Sequence, residues 1–402
     1  MIDTSDWLIA EINHYRLHKG REPVFLSDWD CDPHDGSVIE DIVIPSLIPS
    51  ASQLSRYSYA EDQSDARDCF LTFLKSNSDL SLTLGNVSIS LNATNALYLC
   101  LCGLQASGVQ RFLVITPVYY SVLESLGSMK ASVVFHHLRD DDQFALDLDA
   151  ITDALESQCI EALLFTDPIY SAGIDIPSET YEALAGICHR LGVWLICDHS
   201  LGGLYWDERP ASLFDFAKLK ALQRVERFIY IDSLTKRLFL NGVKHAVILA
   251  PDSFILLVHD LASRISGGFC SSQISVFRAL HETHNTLKLV KFIERNRARV
   301  ISHYKLMAAA LTGTDYALYP SNAGYFSMIC HKEHRIKDVD TKQIVRRLLY
   351  EHDLYVLPSE HFYFFKQNHF GIRANLINDV SSSLPRLVEA ISQDADLLDQ
   401  SR

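Results

Sequence analysis

Four short apolar runs in the middle of the chain are each followed at once by residues able to do chemistry. After residues 111–116 come Tyr119 and Tyr120, and after 162–165 comes the stretch Asp167-Pro-Ile-Tyr170-Ser-Ala-Gly173. After 193–197 come Asp198, His199 and Ser200, and after 228–231 come Asp232, Ser233 and Lys236. Runs this uniformly apolar read as strands buried on both faces of a parallel sheet, and ligands of such sheets lie beyond the carboxyl ends of the strands. An aromatic, a carboxylate and a Ser/Lys pair therefore converge on one edge. A flat, phosphorylated, cationic ring needs that set: a lysine for an aldehyde, a carboxylate to keep a pyridine nitrogen protonated, an aromatic to stack, and donors for phosphate. Pyridoxal 5'-phosphate has those requirements.

The elements that must position these residues are legible around them. Residues 179–191 place Tyr181, Leu184, Ile187, Cys188 and Leu191 at helical spacing behind Pro177 and Ser178, which makes a βαβ unit explicit. A fifth run, 245–250, completes the pattern. The last quarter changes character, with strands and helices alternating over 315–329, 338–350, 354–357 and 371–376. The expectation is an α/β fold whose mostly parallel central sheet, flanked by helices, occupies residues 42–294. A smaller α+β domain is expected from residues 1–41 together with 295–402.

Composition excludes several classes. Of 402 residues, 48% are hydrophobic and 21% charged, enough for a sizeable core and an ordinary soluble surface. The 36 Lys and Arg against 50 Asp and Glu leave a net charge of -14, which repels phosphate backbones and makes nucleic acid a poor partner. Nine scattered cysteines, Cys31 among them, form no CxxC pair and read as buried thiols in a reducing compartment rather than as a metal site. Asp3 and Asp6 stand where a signal peptide carries positive charge, and no apolar run reaches the roughly 18 residues that span a bilayer, so a cytoplasmic protein with no membrane contact is expected. No GxGxxG follows a strand, which sets a nicotinamide-dependent dehydrogenase aside.

The segment Asp232-Ser-Leu-Thr-Lys-Arg-Leu-Phe-Leu-Asn-Gly-Val-Lys-His245 resembles the lysine motif of class I/II aminotransferases, the fold-type I pyridoxal-phosphate-dependent enzymes. The resemblance implies that Lys236 is the Schiff-base lysine, Ser233 a phosphate ligand and Asp198 the partner of the pyridinium nitrogen. It extends over most of the chain. Tyr57 to Arg67 looks like the signature whose tyrosine reaches the phosphate of the neighbouring subunit, with Tyr59 competing for that role, and so implies a homodimer. Asn92-Ala93-Thr94-Asn95 is similar to the helix-opening loop that binds phosphate through backbone N–H groups, though without glycine at its start. Tyr119 matches the ring-stacking aromatic, with Tyr120 as its rival. Residues 356–362 and Gly371-Ile-Arg373 look like the motifs that precede and contain the arginine for the substrate carboxylate.

Three departures from the family's pattern bear on the reaction. Tyr170 stands where the family has the asparagine that donates to the cofactor's phenolic oxygen, and Leu201 where it has the second donor, a tyrosine. Lys244 replaces the phosphate arginine, keeping the charge without the planar fork. The resemblance implies an enzyme that acts on an α-amino acid through an external aldimine and an α-carbanion, as an aminotransferase toward a 2-oxo acid. The altered donors leave open a non-transaminating branch, a lyase or cyclase similar to aminocyclopropane-carboxylate synthase or capreomycidine synthase. A sensor that binds the cofactor without turnover is a third reading, against which the retention of Lys236 and Asp198 speaks. Side-chain preference is expected to come from N-terminal positions such as Trp29 and Asp30, and His199 either tunes Asp198 or packs.

Overall fold

The computed structural model describes residues 5–30, 36–59 and 63–393. Cys31, Asp3 and residues 60–62 of the tyrosine signature lie outside them. Strand β1 (Val24–Phe25) opens the chain's β structure, followed by β2 (Val87–Ser90), β3 (Arg111–Thr116), β4 (Ser132–His137), β5 (Ala162–Thr166), β6 (Trp194–Asp198), β7 (Phe228–Asp232) and β8 (Ala246–Leu249). Strands β2 to β8 form one seven-stranded sheet in the order β2-β8-β7-β6-β5-β3-β4. All its pairings are parallel except those of β8, which runs antiparallel to both β2 and β7.

The five runs read from the sequence are β3, β5, β6, β7 and β8, and the helix expected over 179–191 is Ser178–Leu191, ended by Gly192 at φ +67. Central strands are legible because both faces are buried; all five residues of β5 and of β7 are. Two strands gave no such signal. Edge strand β4 pairs only with β3 and is half exposed, and in β2 the alternating Ser88 and Ser90 break the apolar run although both are buried. The sense of β8 is also a correction to the parallel pattern. Residues 233–245 hold only the one-turn helix Leu234–Arg237, too little for the crossover that a parallel return requires. Its start therefore lies at the edge where the parallel strands end.

Alternate residues of these strands feed two cores, as a period of two demands. Val114, Leu164, Ile196 and Ile229 pack under helices Ala93–Ala106 and Asp252–Ile265. Leu113, Leu163, Leu195 and Tyr230 enter the larger core beneath Ser178–Leu191. That core continues into β9 (Tyr316–Leu318), β10 (Phe326–Arg335), β11 (Leu354–Tyr355) and β12 (His369–Asn375). These make an antiparallel sheet β12-β10-β9 and the parallel pair β1-β11. The boundary expected at residue 294 falls inside helix Thr286–Ala310, which spans it without a break. Four cysteines are buried (Cys100, Cys188, Cys197, Cys330), but Cys159 and Cys270 are exposed, against the expectation of buried thiols throughout. No helix among the described residues is long and apolar enough to cross a membrane.

Candidate active site

A cavity of about 370 Å³ opens at the edge where β5, β6 and β7 end. Eight of the ten residues singled out from the sequence line it: Ala93, Thr94, Tyr119, Tyr170, Asp198, Ser233, Lys236 and Lys244. Arg373 and Tyr57 do not.

Each wall follows from a local feature. Asn92 caps helix Ala93–Ala106 by accepting the Asn95 N–H at 2.9 Å, which leaves the first-turn N–H groups of Ala93 and Thr94 aimed past the helix end, where an anion is favoured. Ser233 caps helix Leu234–Arg237, and its hydroxyl donates to the His245 carbonyl at 2.5 Å. The turn bearing Lys236 is thereby pinned to the start of β8, and Lys244 comes to the same rim. Lys236 Nζ donates to Asn241 Oδ1 at 2.9 Å, and Asn241 Nδ2 to the Trp29 carbonyl at 2.9 Å. Asp198, the last residue of β6, accepts the Ser200 N–H at 3.0 Å. Burial pushes its carboxyl above the ordinary range, with the Ser200 bonds pulling the other way.

Tyr119 begins helix Tyr120–Ser128, with its ring 5.4 Å from that of Tyr170 and 5.5 Å from that of Trp29. Tyr120 is absent from the lining, as is His199. Trp29 and Leu201 are both part of it, whereas Asp30 is not. Thr166 and Thr235 also line it and escaped the sequence reading; Thr166 ends β5 one residue past the apolar run, where the strand-end rule finds it.

Arg373, on β12, is fully buried one layer back. Its guanidinium carbon lies 3.7 Å from the Trp29 ring centroid and 4.1 Å from that of Phe326. Nη2 donates to the carbonyls of Ser27 (3.1 Å) and Asp28 (2.9 Å), while Nε and Nη1 are shut off from solvent without a partner. A buried cation with unmet donors is costly unless an anion joins it. Tyr57 is 81% exposed, stacks on Tyr59 with centroids 5.7 Å apart and is not among the residues lining its own chain's cavity.

The donor set fits pyridoxal 5'-phosphate. Helix N-terminus and Lys244 suit its phosphate, Tyr119 its ring face and Asp198 its ring nitrogen. Ser233 is able to join the phosphate donors when its hydroxyl turns from the His245 carbonyl. The Tyr170 hydroxyl and Thr166 Oγ1 are buried at the cavity with no protein partner. Removing an unpaired buried hydroxyl costs little. Tyr170→Phe is therefore expected to leave the melting midpoint of cofactor-free protein within about 2 °C of the parent, and to weaken cofactor retention about tenfold, the worth of one hydrogen bond. A midpoint several degrees lower would place the hydroxyl in the fold's own support. Asp198 gives a pH-dependent counterpart. Its raised value means that the folded chain holds this proton more tightly than the unfolded one, so its charge weighs against the cofactor-free fold as pH rises above the ordinary carboxylate range. Asp198→Asn is expected to melt above the parent at pH 8 without cofactor, with the difference closing toward pH 4. A variant less stable than the parent at pH 8 contradicts this.

The model of the family described as aminotransferase class I and II matches residues 39–391. Arginine–pyruvate transaminase AruH of Pseudomonas aeruginosa is 24% identical over 256 residues. That match covers 62% of this chain and 62% of the relative, under two thirds of its length. Among solved structures, an aspartate aminotransferase double mutant of Thermus thermophilus superposes with TM-score 0.80 at 16% identity, covering 97% of each chain. N-succinyldiaminopimelate aminotransferase of Mycobacterium tuberculosis gives 0.77 at 19%, covering 95% of this chain and 96% of that one. At such identities the structures speak for the fold alone.

Proposed function

Because the chain belongs to the class I and II aminotransferase family, whose members depend on pyridoxal phosphate, we propose that it moves the amino group of an α-amino acid to a 2-oxo acid. The observation that carries this is the opening of Lys236 and Asp198 into one cavity with the N-terminus of helix Ala93–Ala106. When bound, pyridoxal 5'-phosphate supplies an aldehyde that takes up the amino group and a cationic ring that draws electrons from the substrate's Cα. Ala93 and Thr94 N–H and Lys244 would hold the phosphate, joined by Ser233 when its hydroxyl turns from the His245 carbonyl, and Tyr119 would cover one ring face. Asp198 holds a proton at the ring nitrogen, and the Tyr170 hydroxyl meets the phenolic oxygen. Lys236 Nζ holds the aldehyde at rest; as a free amine it takes the proton from the substrate's Cα and delivers it to the carbon that bore the aldehyde. Arg373, now behind the Trp29 indole, would take the substrate carboxylate once that ring moves off its guanidinium.

A second reading has an observation of its own. Leu201 and Tyr170 both line the cavity at the positions where the family carries its two donors to the phenolic oxygen. That change would favour elimination or ring closure over amino transfer. Incubation with a panel of amino acids, with and without a 2-oxo acid, separates the two readings by mass analysis of products. Matched conversion of donor and acceptor supports transfer, and product formed without an acceptor supports the lyase or cyclase.

The homodimer belongs to the same proposal. Tyr57 extends a run of exposed apolar side chains that includes Ile48 (83% exposed) and Leu54 (68%), a surface suited to a second copy whose phosphate Tyr57 would reach. Light scattering is expected to give about twice the 45.4 kDa of the chain; a monomer at micromolar concentration contradicts it.

A further inference from the structure

Behind the carboxylate at the end of β6 lies a buried polar cage centred on His199. The ring is 0% exposed, and a Cβ on Gly202 would come within 2.0 Å of its Cε1, so the chain leaves room for the ring at that glycine. Nδ1 faces the Tyr230 hydroxyl at 2.8 Å and Asp232 Oδ2 at 3.3 Å. Nε2 faces the Tyr205 hydroxyl at 3.1 Å and Asp167 Oδ2 at 3.5 Å. Each phenol has one hydrogen, and each has a carboxylate to give it to: Tyr230 to Asp232 at 3.0 Å and Tyr205 to Asp215 at 2.8 Å. Toward His199 both phenols can then only accept. A ring nitrogen without hydrogen would turn a lone pair on a phenol oxygen and a carboxylate oxygen at once, on either side of the ring.

The charges around the ring agree. Lys218 bridges Asp167 and Asp175 at 2.5 Å each and approaches Asp215 at 3.9 Å. Arg209 reaches Asp175 at 2.6 Å, and Arg237 pairs with Asp232. With Asp207, which Arg209 also holds at 2.7 Å, five carboxylates thus share three cations, and a positive ring makes up part of the deficit. We propose that His199 carries hydrogens on both ring nitrogens and acts as a positioning residue that keeps the neighbouring Asp198 ionised. The same cage reaches the lysine side of the site. Asp232 offers one oxygen to His199 and the other to Arg237, the residue after Lys236, and Arg237 also donates to the His199 carbonyl at 3.3 Å. Asp198 and Lys236 are in this way each followed by a residue bound to one carboxylate.

The hydrogen count stands on the cage alone, whereas its effect on Asp198 rests on the proposed pairing of Asp198 with the cofactor's ring nitrogen. Neutron diffraction from the holoenzyme at pH 8 is expected to show deuterium on both nitrogens of His199; a bare nitrogen overturns the proposal. His199→Gln has one donor end and cannot give to both sides. With cofactor labelled with nitrogen-15 in the ring, the ring-nitrogen resonance of that variant is expected to move from the protonated toward the unprotonated range, as the shared proton shifts to Asp198. A folded variant with an unmoved resonance overturns the positioning role. If the parent's own resonance is unprotonated, the pairing of Asp198 with the ring fails while the cage stands. Should the variant not fold, the neutron result decides.

Discussion

Lys236→Ala is expected to lower amino transfer by roughly 10⁴-fold, the upper range for a positioned proton carrier, and to leave the purified protein without the visible absorbance of covalently held cofactor. The loss is expected to be chemical rather than structural. Lys236 lies in a one-turn helix whose cap is Ser233 and whose buried anchor is Arg237, and neither depends on the lysine amine. One hydrogen bond of its amine ends on Asn241, which keeps its own bond to the Trp29 carbonyl. Circular dichroism and the melting midpoint of the cofactor-free variant should therefore match the parent. Turnover within tenfold of the parent, from protein confirmed by mass to carry alanine, would remove Lys236 from the mechanism.

The second large effect concerns Arg373. Replacement by leucine removes a fork of two charge-assisted hydrogen bonds, each worth about 1.5–3 kcal/mol, so KM for the amino donor should rise at least about 100-fold while bound cofactor keeps its spectrum. Arg373→Lys should recover the charge and only part of the affinity, because an ammonium cannot make the planar pair of bonds. Structural damage has a separate readout. The guanidinium also holds the Ser27 and Asp28 carbonyls, and its loss should lower the melting midpoint whether or not substrate is present. An unchanged KM with a lowered midpoint would mark Arg373 as a brace for the N-terminal segment and nothing more. Trp29 sharpens the test, since its indole lies on the guanidinium and also lines the cavity, so a carboxylate bound by Arg373 should alter tryptophan fluorescence.

Much of this site was legible because it depends on short stretches of chain. Asp198, Ser233 and Lys236 each lie within five residues of an apolar run, and a strand buried on both faces is hard to mistake. The Ala93 helix start needed only its Asn92 cap. What stayed hidden depends on partners distant in sequence. The stack of Arg373 on Trp29 joins residues at opposite ends of the chain, and no local pattern records that a fully buried arginine lies one layer behind the cavity wall. The His199 cage is assembled from β5, β6, β7 and helix Phe216–Leu222, so its neighbours were unknowable from a histidine beside an aspartate. The hydrophobic signal failed for β4 and β2, one for lack of a second neighbour and the other for its serines.

The reversed strand bears on how the chain can vary in length. Residues 241–244 join the lysine turn to a strand that enters from the same rim. One added residue there would slide Lys244 along the sheet edge and loosen the Ser233–His245 tie together, so this connection should tolerate neither deletions nor insertions.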